Sequence, residues 1–406
     1  MIIGIDGNEA NIKDKVGVNQ YAWEILWGLY KLSLANHSVG KLSLATPRRG
    51  KQNLSALSRD KLQDDENKNI TYFIYLKNAP NSDLPKEKAF WKYKIIPGER
   101  LWVLIKLMPR LLFKEKVDVF FTPGHYLPLF SRSDKVLTIH DLGYLEFSGQ
   151  FKRYDFWQLK YWSAISIIIS KYIICPSETT AKDIVRRYPF AAQKVKVINH
   201  GYDRTKFNLK VHSNFVRQIR KKYRIPENYI LFLSTLKPSK NIEGLLSAFS
   251  IITNRFPNLN LVIAGKKGWL YENIIKKVAD QKLESKVIFT DYISEKEKPA
   301  LIKGARCFVL PSFWEGFGMD VLEAMACGVP VVVSKTASLP EIVKDAGTYV
   351  DPYNIESIAE GLNKVLSLNG VEYNKMVKKG LMQAQKFSWA KSTRETLEIF
   401  EKAVRR

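Results

Sequence analysis

The chain has 406 residues, of which 46% are apolar and 26% charged, which is too long for one ordinary core and fits two α/β domains of similar size. Its formal net charge of +24 is split evenly between residues 1–200 and 201–406, and no DNA- or RNA-reading motif accompanies it. The excess therefore predicts a general attraction to anions and no specific nucleic-acid partner. No apolar run is long enough to span a bilayer, and the first residues, MIIGIDGNEA, read as a strand and not as a signal peptide. Cys175, Cys307 and Cys327 have no paired spacing and are expected as buried thiols, which suits a reducing cytoplasm.

In chain order, Ile2–Asp6 reads as the first strand, and Val18, Tyr21, Ala22, Ile25, Leu26 and Leu29 recur at helical spacing, so that helix turns an apolar stripe to a sheet. Charged residues dominate Arg48–Asn69, which is expected as a surface loop. Further strands are expected at Thr71–Tyr75, Val117–Phe121, Lys135–Ile139, Tyr172–Cys175 and Val195–Ile198. Between the first and second of these, Lys86–Lys116 mixes Phe90, Trp91, Tyr93, Trp102 and Phe113 with nine Lys/Arg against three Asp/Glu. Lys106, Arg110 and Lys114 there share one helix face, which either rests on anionic lipid or is solvated. A polar linker near 200–212 divides the chain, and the alternation restarts with Tyr229–Ser234, Leu259–Ala264, Val287–Phe289, Cys307–Leu310, Pro330–Ser334 and Gly347–Val350. Strands alternating with amphipathic helices predict parallel sheets covered on both faces.

Chemistry concentrates in PSFWEGFGMDVLEAMACGVPVVVS, Pro311–Ser334. An apolar strand runs through Gly316 and Gly318 into a helix, where exposed N–H groups and the positive end of the helix dipole neutralise an anion. Glu315 lies in the loop and Glu323 inside the helix. They flank that anion site instead of facing each other, which is wrong for a glycosidase pair and right for two sets of diol hydroxyls. A capped surface helix is the alternative. His37, His125, His140, His200 and His212 lack metal-ligand spacing and the chain has no Asp-x-Asp triplet, so no metal site is expected.

The glutamates with seven residues between them, EGFGMDVLE (Glu315–Glu323), resemble the retaining glycosyltransferases of family four. IHDLGYLEF (Ile139–Phe147), VINHGYD (Val197–Asp203), STLKPSKN (Ser234–Asn241), IAGKKGW (Ile263–Trp269) and CGVPVVVS (Cys327–Ser334) extend the likeness over nearly the whole chain. The resemblance implies an α/β GT-B architecture, two Rossmann-like domains with parallel sheets facing across a cleft. The first, 1–205, would take the acceptor and the second, 206–387, the nucleotide sugar, with 388–406 a helix crossing back. Carried over by position, His140, Lys240 and Glu315 are the catalytic set. Gly17, Asp141, Thr235, Lys240, Gly316, Phe317, Gly318, Met319 and Glu323 are the donor-binding set, with Glu323 on the ribose, Glu315 on the sugar and Lys240 on the diphosphate. Two departures stand out. Neither Thr235 nor Ser239 is the arginine that relatives carry as a second phosphate cation, leaving Lys237, or Lys266 and Lys267, to serve; and Val16 stands where relatives often have a glycine beside Gly17. The wording is closest to mannosyltransferase-type members. It suggests GDP-mannose as donor, with UDP-sugars left open, and a glycan or lipid-linked acceptor; the missing metal-ligand spacing points to no metal or other cofactor, and Lys86–Lys116 to peripheral contact with the inner face of the membrane from the cytoplasm. An epimerase-type or non-catalytic sugar-nucleotide-binding relative is the competing reading.

Overall fold

The computed structural model describes residues 1–42, 70–147, 149, 153–268 and 270–405; the expected surface loop Arg48–Asn69 and Trp269 lie outside the described residues. Runs of β-branched and aromatic residues form the strands. Seven, β1 (Ile2–Asp6), β2 (Thr71–Leu76), β3 (Trp91–Ile95), β4 (Val119–Thr122), β5 (Asp134–Thr138), β6 (Tyr172–Cys175) and β7 (Val195–Val197), make a sheet in the order β3-β2-β1-β4-β5-β6-β7. Six more are β8 (Tyr229–Leu233), β9 (Asn260–Ala264), β10 (Val287–Asp291), β11 (Cys307–Leu310), β12 (Val331–Ser334) and β13 (Thr348–Val350). Their order is β10-β9-β8-β11-β12-β13.

Neighbouring strands run parallel in both sheets. Every residue of β8, β9, β11 and β12 is buried, as strands covered by helices on both faces must be. The expected stripe of the helix Val18–Leu42 is realised, with Tyr21, Ala22, Ile25, Leu26 and Leu29 all buried. The three cysteines are buried and unbridged.

By packing, the chain forms two compact units, one of Met1–Thr138, Tyr161–Ile174 and Ser392–Arg406, the other of Ile139–Lys160 and Cys175–Lys391. The last helix, Trp389–Val404, delivers its C-terminal part to the first unit. There the Phe400 ring lies 5.0 Å from Phe121, and Thr393 sits so close to Gly28 that a Cβ on that glycine would fall 2.1 Å from its Oγ1.

One strand was not expected. β3, read as Trp-Lys-Tyr-Lys-Ile, is an edge strand with Lys92 exposed, so its composition is that of a protected edge and not of a buried strand. Beyond it, the expected helix face is built from a π-helical turn, Val103–Leu107, followed by the helix Met108–Phe113.

Candidate active site

In an open parallel sheet a crevice forms where the strand order reverses, because the loops leaving the two central strands go to opposite sides. In the second sheet that point lies between β8 and β11. The loops leaving their carboxyl ends, 234–241 and 311–318, are the two segments that carry the sequence motifs.

The first loop tightens into a 3-10 turn, Pro238–Lys240, and ends on Asn241 in the left-handed region, φ 56°. The Asn241 side-chain amide donates to the carbonyls of Pro311 (3.1 Å) and Pro352 (2.7 Å), and the Phe313 N–H donates to the Ser239 carbonyl (3.0 Å). The two loops are thereby fixed to each other. Across the junction the Lys240 ammonium donates to Glu315 Oε1 at 2.5 Å, which also accepts from Ser312 Oγ at 2.9 Å, and both members of the ion pair are about nine-tenths buried. Burial lowers the pKa of Lys237, Lys240 lowers it further, and Asp141 and Glu315 oppose the shift. Two lysines and two carboxylates therefore share one electrostatic neighbourhood. Lys266 and Lys267 are engaged elsewhere, the first over the Tyr292 ring and the second on Asp291 at 3.2 Å. Thr235 packs at the exit of β8 beside Gly268.

The second loop needs its glycines for two different reasons. A Cβ on Gly316 would fall 2.2 Å from the His140 carbonyl oxygen, so this glycine permits a close backbone approach. Gly318 adopts φ 95° and caps the helix Met319–Ala326. The Gly316 carbonyl accepts from Ser177 Oγ (2.8 Å) and Thr180 Oγ1 (3.4 Å), while Ser338 Oγ donates to the Glu315 carbonyl (2.9 Å). Glu341 accepts from the N–H groups of Glu178 and Thr179 at the start of the helix Glu178–Arg187. The turn before the helix Met319–Ala326 is thus oriented by three hydroxyls from two segments.

Phe317 is buried, its ring 4.9 Å from His200 and 5.7 Å from Phe387. His200 also stacks on Trp389 and meets His140 edge-on at 5.5 Å. Burial and the neighbouring His140 hold His200 well below the usual histidine range, so it is a neutral ring at physiological pH. Asp141 closes the β5 loop by accepting from the Gly143 N–H at 2.8 Å.

Glu323 forms a separate cluster. Its Oε2 lies 2.7 Å from the Lys298 ammonium, which also reaches Asp320 at 2.8 Å and Glu295 at 3.6 Å. Three carboxylates around one lysine leave a surplus of negative charge. Burial pushes the Glu323 carboxyl up to about 8, with Lys298 opposing and Glu295 and Asp320 adding to it. Burial alone would lower Lys298, but Asp320, Glu323 and Glu295 hold it well above the usual lysine range.

Within the second unit, then, His140, Asp141, Thr235, Lys240, Glu315, Gly316, Phe317, Gly318, Met319 and Glu323 stand on the loops around one sheet switch point or pack against them. Gly17 belongs to the first unit, with φ 50° and open space where a Cβ would be, so its glycine serves the backbone and not packing. Sequence reasoning missed Ser177, Asn241, Lys298 and Ser338. Ser177 alone had a signal, since Ser-Glu-Thr-Thr after a strand marks a helix start. It also missed Asp6 and Glu9 of the first unit, at the end of β1 where that sheet's order reverses; burial raises both carboxyls, the Asn8 N–H groups oppose the shift at Asp6, and Asp6 adds to it at Glu9.

The family model "Glycosyltransferase Family 4" matches residues 71–206, and "Glycosyl transferases group 1" matches residues 215–382. The O-antigen chain mannosyltransferase B of Escherichia coli is 30% identical over 297 residues, 70% of this chain and 74% of that protein. The serotype-specific mannosyltransferase WbdA of Escherichia coli is 28% identical over 238 residues, 57% of this chain and 29% of that longer protein. Among solved structures, sucrose-phosphate synthase from Thermosynechococcus elongatus shares the fold with a TM-score of 0.72 at 17% identity, covering 99% of this chain and 98% of that one. With two Rossmann-like parallel sheets, a glycine-rich turn at the switch point of the second and these relatives, the chain belongs to the family 4 glycosyltransferases of GT-B fold.

Proposed function

We propose that the enzyme moves a hexose, mannose, from a nucleoside-diphosphate sugar, GDP-mannose, to a glycan or lipid-linked acceptor, with retention at the anomeric carbon and without a metal, in the cytoplasm. The observation that carries the donor class is the separation of two carboxylate clusters around one strand-to-helix turn, Glu315 with Lys240 before the helix and Glu323 with Lys298 within it. A diphosphate at the helix start competes with Glu315 for the Lys240 ammonium, and Lys237 adds a second cation. Displaced from Lys240, Glu315 accepts from sugar hydroxyls, while Glu323 accepts from the ribose diol. As the bond from the sugar carbon to phosphate breaks, charge develops on the departing diphosphate where the lysines and helix dipole already point. Mannose is favoured because both Escherichia coli relatives are mannosyltransferases, and a reducing compartment by the three unbridged thiols.

A thermal-shift panel of GDP-, UDP- and ADP-sugars in excess EDTA tests this reading. A ligand at a hundredfold excess over its Kd stabilises by about 2.7 kcal/mol, so GDP-mannose should raise the unfolding temperature where the others do not, and should then turn over. Stabilisation by a UDP-sugar alone would replace the donor. Turnover that disappears in EDTA and returns with Mg²⁺ or Mn²⁺ would overturn the metal-free step.

A further inference from the structure

At the edge of the first sheet, between β3 and the helix Met108–Phe113, runs an open groove of about 400 Å³. Its apolar wall includes Ile95, Ile105 and Phe113, which are 47%, 58% and 77% exposed, values that leave large hydrophobic side chains facing water. Lys106, Arg110 and Lys114 line the same groove, and among the described residues no carboxylate does. Glu115, just past the end of this helix, accepts from the Tyr75 hydroxyl at 2.6 Å. The buried Trp102, Leu107 and Leu111 anchor the other side of this stretch in the core, so the exposed face is held in place.

We infer that this groove is a docking surface for an anionic lipid membrane, with Ile105 and Phe113 entering the boundary between headgroups and acyl chains and Lys106, Arg110 and Lys114 meeting lipid phosphates. Two features select this occupant. A second copy docked face to face would set the three cations against their own counterparts, which like-charge repulsion opposes. A soluble polyanion would match the cations but leave the Phe113 and Ile105 side chains in water. A lipid interface satisfies both kinds of group at once, since long basic side chains keep their heads at the phosphates while apolar neighbours enter the hydrocarbon edge. The chain's net charge of +24 adds a long-range attraction in the same direction. Among the described residues no helix is long and apolar enough to cross a membrane, so the contact is one of a surface and not of a span.

The test is flotation of the full chain with vesicles of phosphatidylcholine alone and of phosphatidylcholine mixed with phosphatidylglycerol, at low ionic strength and in molar salt. The chain should float with the anionic vesicles at low salt and be released by high salt. Replacing the cations, Lys106→Gln with Arg110→Gln and Lys114→Gln, should weaken partitioning roughly a hundredfold, since each contributes about fivefold. Ile105→Ser with Phe113→Ser should weaken it about tenfold or more. None of the five side chains is buried, so unfolding temperature and nucleotide binding should hold. Equal partitioning into both vesicle types, no flotation at low salt, or wild-type partitioning by both variants would overturn the assignment. So would a concentration-dependent dimer that Phe113→Ser abolishes.

Discussion

Glu323→Gln separates the roles of shape and charge at the proposed ribose end of the site. Glutamine keeps the volume, and Lys298 retains Asp320 at 2.8 Å and Glu295 at 3.6 Å, so no buried cation is orphaned. Two opposite effects should result. The wild-type carboxyl is raised from 4.5 to about 8 in the folded chain, so the folded state holds the proton more tightly than the unfolded state and stability falls as pH rises through that window. With 1.36 kcal/mol per pKa unit, the loss between about pH 5 and about pH 8 amounts to roughly 3 to 4 kcal/mol, and the amide is free of it. The variant should therefore gain on the wild type by that amount as pH rises. Nucleotide affinity should move the other way. A charge-assisted hydrogen bond exceeds a neutral one by about 1 kcal/mol, so two bonds from a ribose diol favour the ionised carboxylate by about thirtyfold. Wild-type affinity for GDP should tighten by about that factor from pH 6 to pH 9 as the carboxyl ionises, roughly as linkage requires. The variant should show only the change due to the ligand's own phosphate ionisation, which the wild type shares. Calorimetric titration with GDP and thermal unfolding, each across this range, read the two effects. Parallel affinity profiles for the two proteins, or a variant that loses stability with pH as steeply as the wild type, would refute the reasoning.

Lys240→Met should weaken nucleoside diphosphate binding about ten- to a hundredfold, the worth of one charge-assisted bond. Glu315→Gln, which removes the competitor for that lysine, should leave the same affinity within about threefold while lowering turnover on the order of a hundredfold, as product release would show. Gly316→Ala places a methyl 2.2 Å from a backbone oxygen and should lower stability by about 1–3 kcal/mol, read as a fall in unfolding temperature. Asn241→Ala strands two buried carbonyls and a left-handed backbone, for a loss of about 2–4 kcal/mol in denaturant unfolding. Asn241→Gly should recover part of it, because it restores the backbone but not the bridging amide.

The doubly covered strands were legible because parallel pairing buries both faces and leaves near-continuous apolar runs such as Tyr229–Leu233 and Val331–Ser334. β3 was not, since an edge strand half open to water carries lysines and imitates a polar loop. At the site, Glu315 and Glu323 stood out because a glycine-rich strand-to-helix turn is a local pattern that spacing preserves. Lys298 did not. It joins Glu323 from a helix that begins 25 residues earlier, and nothing within its own segment distinguishes it from the solvated Lys296 beside it. The Lys240–Glu315 pair, 75 residues apart, was likewise invisible as a pair although each member was singled out alone. Asn241 hid for a different reason, because left-handed asparagines in turns are common and only the two carbonyls it bridges give this one its purpose.

The stretch Ser392–Arg406 packs with residues that were synthesised much earlier. Thr393 fills the notch at Gly28 and Phe400 covers Phe121, so the first unit lacks part of its core until the ribosome has finished the other. A nascent chain must hold the Gly28 and Phe121 surfaces unsealed through the synthesis of more than two hundred intervening residues, a span over which exposed apolar surface invites aggregation and chaperone binding. Ring closure over so long a loop is entropically costly and slow, which makes sealing by the final helix the natural late step of folding.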